Sequence, residues 1–155
     1  MHYRFYQPED FEALYAIEET CFQPPYRFGR GYMRKLVQRR NAATWIAEED
    51  LNLAGFAIVE WTERERVVTA YIQTIEVAPG LRNRGVGGEL LRRVEESVRA
   101  ANAAVLWLHV DVRNTAAMSL YEAHGYRCEG REEDFYGPDR SALIFVKPLK
   151  AEAFA

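Results

Sequence analysis

Residues 66–112 read as strand, glycine-rich turn, amphipathic helix and apolar strand, an order that forces a parallel strand pair on any fold containing it. The stretch RVVTAYIQTIEVAP is rich in β-branched and aromatic residues, and Pro79-Gly80 ends it. From Gly87 onward Leu90, Leu91, Val94, Val98 and Ala101 recur at helical steps, which predicts a helix of about three to four turns. AAVLWLHVDV follows, a nearly continuous apolar run of the kind buried on both faces of a parallel sheet. The three elements make one βαβ unit, right-handed by the usual rule.

The flanking segments predict what surrounds this unit. A strand near Tyr3 to Tyr6 precedes a helix carrying Phe11, Leu14, Tyr15, Glu18, Cys21 and Phe22 at helical spacing, with acids in its first turn. QPPYRFGRG is a proline- and glycine-stiffened loop expected to expose Tyr26 and Phe28. A second short helix follows, with Tyr32, Met33, Leu36 and Val37 on one face. TWIAEEDLNLAGFAIVEW reads as two strands about a loop. After the βαβ unit, Asn114 stands at an N-cap position before TAAMSLYEAH, and Gly125 ends that helix as a C′ glycine would. YRCEGREEDFY and SALIFVKPL are strands joined through the turn GPDR. The expected fold class is α/β: one domain over residues 1–150, with a mixed central sheet of about seven strands and about four helices. Residues 151–155, AEAFA, are expected to be a frayed tail.

Composition narrows the function classes. With 48% apolar and 28% charged residues, the chain can bury a core and is not a disordered tail. No apolar run is long enough to span a bilayer and the N-terminus lacks a signal-peptide stretch, so a cytoplasmic location and no membrane partner are expected. Cys21 and Cys128 have no metal-ligand spacing, so buried free thiols and no metal are expected. The net charge of −3 argues against nucleic acid as a partner. Arg82, Arg84, Arg92 and Arg93 nevertheless form a basic patch able to attract a phosphorylated ligand.

Between strand and helix lies LRNRGVGGELLRR. Pyrophosphate is held well by backbone N–H groups of a glycine-rich loop and of a helix's first turn, where the dipole is positive. Gly85 and Gly87 let the backbone approach closely, and Gly88 shortens the first helical turn. The stretch lacks the Gly-Lys-Ser/Thr of a P-loop and the six-residue dinucleotide fingerprint. On spacing alone it is equally a strand-to-helix turn with solvated arginines.

The joint pattern of two segments resembles a known family. IEVAPGLRNRGVGGELL is similar to the acetyl-CoA motif of the GNAT N-acetyltransferases, with Arg82, Asn83, Arg84, Gly85, Val86 and Gly87 at its core. NTAAMSLYEAHGY resembles the family's second motif through Asn114, Tyr121, Gly125 and Tyr126. The motifs are closest to those of N-terminal acetyltransferases acting on ribosomal proteins in bacteria or on protein N-termini in eukaryotes. The resemblance implies acetyl-CoA as acyl donor, its pantetheine along Ile75, Glu76 and Val77, its pyrophosphate on Asn83 to Gly88, and Asn114 among the donor-binding residues. It also implies two parallel strands splayed around the thioester, with the amine attacking directly from the other side.

An amine attacks only when neutral, so a proton must leave first. For an α-amine near pKa 8 the demand is smaller than for a lysine near 10.4. The resemblance nominates Tyr121 as the acid that protonates the departing thiolate, against a plain packing role with Leu120 and Ala117. Where many bacterial relatives carry glutamate, this chain has His109. AYIQT and LHVDVRN resemble instead the eukaryotic subfamily in which a tyrosine and a histidine share a water and deprotonate the amine, here Tyr71 and His109. A strand histidine bonded to backbone and a packing tyrosine are the alternatives. Glu76 is the second candidate base, although strand alternation sets it on the face opposite Tyr71.

CFQPPYRF and EEDFYGPDR resemble the acceptor-binding segments of the same subfamily, which implies Phe22, Pro24, Tyr26 and Tyr136 as substrate-binding residues. Phe22 could equally close the core beneath the first helix. The expected acceptor is a peptide or protein N-terminus, with a small amine as the enzymatic alternative and a non-catalytic CoA-binding module as the other. A monomer or weak homodimer is expected.

Overall fold

The computed structural model describes residues Met1 to Lys150, and the expected tail at 151–155 lies outside them. Among the described residues, seven strands, β1 (His2–Phe5), β2 (Ala42–Glu49), β3 (Asn52–Arg64), β4 (Val67–Val77), β5 (Ala103–Asp111), β6 (Arg127–Gly137) and β7 (Arg140–Pro148), are ordered β1-β2-β3-β4-β5-β7-β6, with four α-helices. The chain groups into two compact units, Met1–Glu60 with Ile72–Ser97, and Trp61–Tyr71 with Val98 onward.

In the first unit, β1 (His2–Phe5) pairs antiparallel with β2 (Ala42–Glu49), which pairs antiparallel with β3 (Asn52–Arg64). A short 3-10 turn at Pro8–Asp10 leads into α1 (Phe11–Cys21), and α2 is Arg30–Gln38. Arg4 secures this entry, donating to both carboxylate oxygens of Asp10 at 2.8 Å and to Glu48. Phe11, Leu14, Tyr15 and Ile17 of α1 form the core with Met33 and Leu36 of α2, Ile46 of β2, and Phe56 and Ile58 of β3. Phe28 packs against this core instead of standing exposed, because Tyr15 Oη donates to its carbonyl and its own N–H donates to Glu18. Tyr32, expected on the apolar face of α2, is 42% exposed. β4 spans Val67–Val77, and α3 (Val86–Ala100) buries Val86, Leu90, Leu91, Val94 and Val98, the face its periodicity predicts.

In the second unit, β4 and β5 (Ala103–Asp111) run parallel, from Val68↔Ala103 to Tyr71↔Trp107. β5 also pairs antiparallel with β7 (Arg140–Pro148), which pairs with β6 (Arg127–Gly137). α4 is Thr115–Ala123. The expectation that β5 is buried on both faces is corrected: Leu106, Leu108 and Val110 are buried, whereas Val105, Trp107, His109 and Asp111 alternate with them half-buried. One face of β5 is therefore core and the other carries polar and aromatic groups. Both cysteines are free, but Cys128 is exposed and Cys21 half-buried, which corrects the expectation of two buried thiols.

Candidate active site

The half-buried face of β4 and β5 assembles a cluster of aromatic rings. Tyr71 pairs in register with Trp107, and their rings meet edge to face at 4.6 Å. His109, two residues beyond Trp107, projects from the same face. Its side chain is 8% exposed, and its ring stacks on Phe135 at 3.8 Å with the planes 10° apart. Tyr136 packs edge to face on Phe135 at 4.9 Å. Both imidazole nitrogens meet side chains and not backbone: Nδ1 lies 2.8 Å from Tyr71 Oη, and Nε2 lies 3.1 Å from Glu132 Oε1. Tyr71 and His109 are thus in direct hydrogen-bond contact. Glu132 did not stand out in the sequence, where it sits in the acidic run EGREED with no period to single it out. Burial first, then the neighbouring titratable groups Tyr71 and Asp111, raises the Tyr136 phenol above its ordinary value.

Tyr121 lies in α4, buried with its ring near Tyr126 at 5.6 Å and Phe145 at 6.3 Å. Burial pushes its phenol above the ordinary value, so it stays a neutral O–H, the form a proton donor requires. Asn114 is the N-cap: its Oδ1 accepts from Ala117 N at 3.0 Å. Gly125, at φ +90°, closes the far end in the left-handed region.

In the first unit, Asn83 (φ 62°) and Gly85 (φ +81°) turn the backbone through left-handed conformations directly before α3. Such a turn joined to a helix N-terminus presents N–H groups that the helix itself cannot pair. A Cβ on Gly85 would meet nothing within 4 Å, so the loop is open there. This is a layout that fits a pyrophosphate. The arginines contribute less free charge than the sequence suggested. Arg84 is bidentate to Glu49, Arg92 pairs with Glu89 and Glu96, and Arg93 pairs with Glu89. Arg82 folds back to donate to the Val77 carbonyl at 3.1 Å, so that carbonyl, one of those assigned to pantetheine, already has an internal donor. Among the described residues no group of three or more His, Cys, Asp or Glu is placed to hold a metal ion.

Glu76 is 3% exposed on the buried parity of β4, with Ala70 and Ile72. Burial first, and the neighbouring Glu18 carboxyl second, hold it well above the usual carboxylate range. Thr74 Oγ1 donates to its Oε2 at 2.7 Å. Phe22, 37% exposed, lies outside the core cluster beneath α1, which removes its alternative role as a core plug. Pro24 is exposed and Tyr26 half-buried in the same loop.

A seven-stranded mixed sheet flanked by helices, with a glycine loop opening one of them, is an α/β architecture on which an acyl-transfer site can be built. The Acetyltransferase (GNAT) family model matches residues 6–126, and the chain belongs to that family of acetyltransferases. It is 31% identical over 147 residues to the [ribosomal protein bS18]-alanine N-acetyltransferase of Salmonella typhimurium, covering 90% of this chain and 92% of that protein. It is 37% identical over 87 residues to streptothricin acetyltransferase of Streptomyces lavendulae, a match that takes in 56% of this chain but only 45% of that protein. Its fold superposes on Arabidopsis thaliana NAA60 in complex with acetyl-CoA with a TM-score of 0.85, at 24% identity over 96% of this chain and 98% of that one. No helix among the described residues is long and apolar enough to cross a membrane.

Proposed function

We propose that the chain transfers the acetyl group of acetyl-CoA to the α-amine of a protein or peptide N-terminus by direct attack, with Tyr71 and His109 removing the proton. The observation that carries this reading is the 2.8 Å contact between Tyr71 Oη and His109 Nδ1 on the half-buried face of two parallel strands. A neutral imidazole behind a phenol lets the hydroxyl take a proton from an ammonium while giving its own away. That driving force suits an α-amine better than a lysine. The overall likeness to the ribosomal-protein alanine acetyltransferase supports the same acceptor class.

Donor binding is assigned to the backbone of Ile75, Glu76 and Val77, to Arg82 through Gly88, and to Asn114. The open left-handed turn before α3 supports the loop's share of it. Tyr121, neutral and buried, is the acid for the thiolate. Phe22, Pro24, Tyr26 and Tyr136 are assigned to the acceptor, and all four keep some exposure. Glu76 stands behind the Tyr71 and His109 pair as a candidate base, because it lies on the buried parity of β4, opposite Tyr71, where burial and the Glu18 carboxyl push its own carboxyl above the usual range.

A small-amine acceptor is the second reading, favoured by the 37% identity to streptothricin acetyltransferase. A thiol-release assay separates the two, with acetyl-CoA against a panel of N-terminal peptides, an N-blocked lysine peptide, streptothricin and simple amines. Turnover confined to free peptide N-termini supports the proposal, and turnover confined to small amines sinks it.

A further inference from the structure

Glu132, on β6, has its side chain 52% exposed and its Oε1 3.1 Å from His109 Nε2. A carboxylate only accepts hydrogen bonds, so Nε2 must carry the N–H of this contact. A neutral imidazole has one N–H, which leaves Nδ1 a bare lone pair facing the Tyr71 hydroxyl at 2.8 Å. The three side chains then form a chain with one direction: the Tyr71 hydroxyl donates to Nδ1, and Nε2 donates to Glu132. Phe135 lies flat on the imidazole at 3.8 Å, with the two planes 10° apart. The neighbouring arginines are engaged elsewhere, Arg131 with Glu133 and Arg140 with Asp111.

We infer that Glu132 is a positioning residue for acetyl transfer, fixing His109 in the tautomer that accepts from Tyr71 and leading the proton from the half-buried phenol to solvent. The inference rests on the reading of Tyr71 and His109 as the base. When a proton reaches Tyr71 Oη, the phenol's own proton moves to Nδ1. One O–H bond forms as another breaks, and Tyr71 stays neutral. The imidazolium so formed holds two N–H groups, and the negative Glu132 stabilises it. Loss of the Nε2 proton through the exposed carboxylate to water leaves the proton on Nδ1. Return to the starting tautomer trades the Nδ1 proton for one taken up on Nε2 from solvent between turnovers, so the net change per cycle is one proton moved from the ammonium to water.

The test pairs kinetics with the 15N shifts of the imidazoles, which report which nitrogen is protonated, in wild type, Glu132→Ala, Glu132→Gln and His109→Ala. Turnover is read with acetyl-CoA and a methionine-initiated peptide, or with the best acceptor of the panel should another outrun it. His109 in the wild type is expected to show its proton on Nε2, and in Glu132→Ala a mixture of both tautomers. In Glu132→Ala kcat should fall on the order of 10- to 100-fold, as for other residues that orient a working histidine, with both KM values within about twofold. Glu132→Gln, whose amide oxygen can still accept from Nε2, should fall less. Wild-type kcat in Glu132→Ala, or a wild-type His109 protonated on Nδ1, overturns the inference. If His109→Ala itself turns over like the wild type, the base reading falls and takes the role of Glu132 with it. If His109→Ala is slow and Glu132→Ala is not, Glu132 alone is excluded.

Discussion

The Tyr71 hydroxyl contributes a single atom to the ring cluster, and that atom separates packing from chemistry. Tyr71→Phe keeps the edge-to-face contact with Trp107 at 4.6 Å and removes the partner of His109 Nδ1. We expect kcat to drop by about 10²- to 10⁴-fold, the usual worth of a positioned acid or base, with the calorimetric affinity for acetyl-CoA unchanged. A wild-type rate would leave Tyr71 only a packing role. Glu76 presents the opposite case, a residue whose charge state concerns stability. Its Oε1 and the Oε1 of Glu18 are both buried with no hydrogen-bond partner, a pair that a single proton between the two carboxyls would satisfy. Because the native state raises this carboxyl above its unfolded value near 4.3, folding binds a proton. Its contribution is fully present below the unfolded value and is lost as pH rises through the raised native one. Glu76→Gln cannot ionise and stays level over that window. Relative to wild type, its melting temperature should therefore climb as pH rises above the unfolded value, by about 2–4 °C for each kcal/mol removed. Parallel melting curves for the two proteins would rule out the shared proton.

At the level of elements, two positions show where backbone geometry admits one residue type. A Cβ on Gly55 of β3 would lie 2.5 Å from the Glu76 carbonyl oxygen, a backbone atom that cannot swing aside, while Ala54 O accepts from Ala78 N at 2.8 Å close by. Gly55→Ala should cost about 1–3 kcal/mol, read as a lower denaturation midpoint with unchanged slope. Asn114→Ala should cost about 1 kcal/mol through loss of the cap to Ala117, and Asn114→Asp should restore it. A loss of acetyl-CoA affinity in Asn114→Ala larger than that stability change would mark a direct donor contact as well. The elements themselves were legible in the sequence because their signals are local: period in α3, a cap and a closing glycine for α4, a proline turn between β6 and β7. The pairing of Tyr71 with His109 was legible through motif resemblance. Glu132 was not, because β6 shifts register between Cys128 and Gly130 and again between Glu132 and Gly137, so alternation cannot be counted along it. The row holding His109 runs through Ile144 to Gly130, and Glu132 lies on the next row of the same face with Ala142 and Asp111. Only the pairing of three strands brings its carboxylate to the imidazole. Phe28 was misplaced for a related reason, since a loop's hydrogen bonds to Tyr15 and Glu18 leave no periodic trace.

Over the whole molecule, the formal charge of −3 sets a weak repulsion toward an anionic donor, and the arginines around the glycine loop are the local counterweight. That counterweight is muted by the chain's own carboxylates, with Arg84 held bidentate by Glu49 at 2.7 and 3.1 Å. Both groups are partly exposed, at 48% and 30%, so their pairing adds little to stability and mainly fixes where the guanidinium points. If the loop holds pyrophosphate, Glu49 competes with the donor for Arg84. Glu49→Gln frees the guanidinium and removes one negative charge near the loop. Its KM for acetyl-CoA should fall about two- to fivefold at 20 mM salt while kcat and melting temperature stay close to wild type. At 1 M salt, where the screening length shrinks to about 3 Å, the advantage should disappear. An unchanged KM at both ionic strengths would mean that Arg84 does not meet the donor, and the pyrophosphate would then rest on backbone N–H groups alone, as the left-handed turn at Asn83 and Gly85 permits.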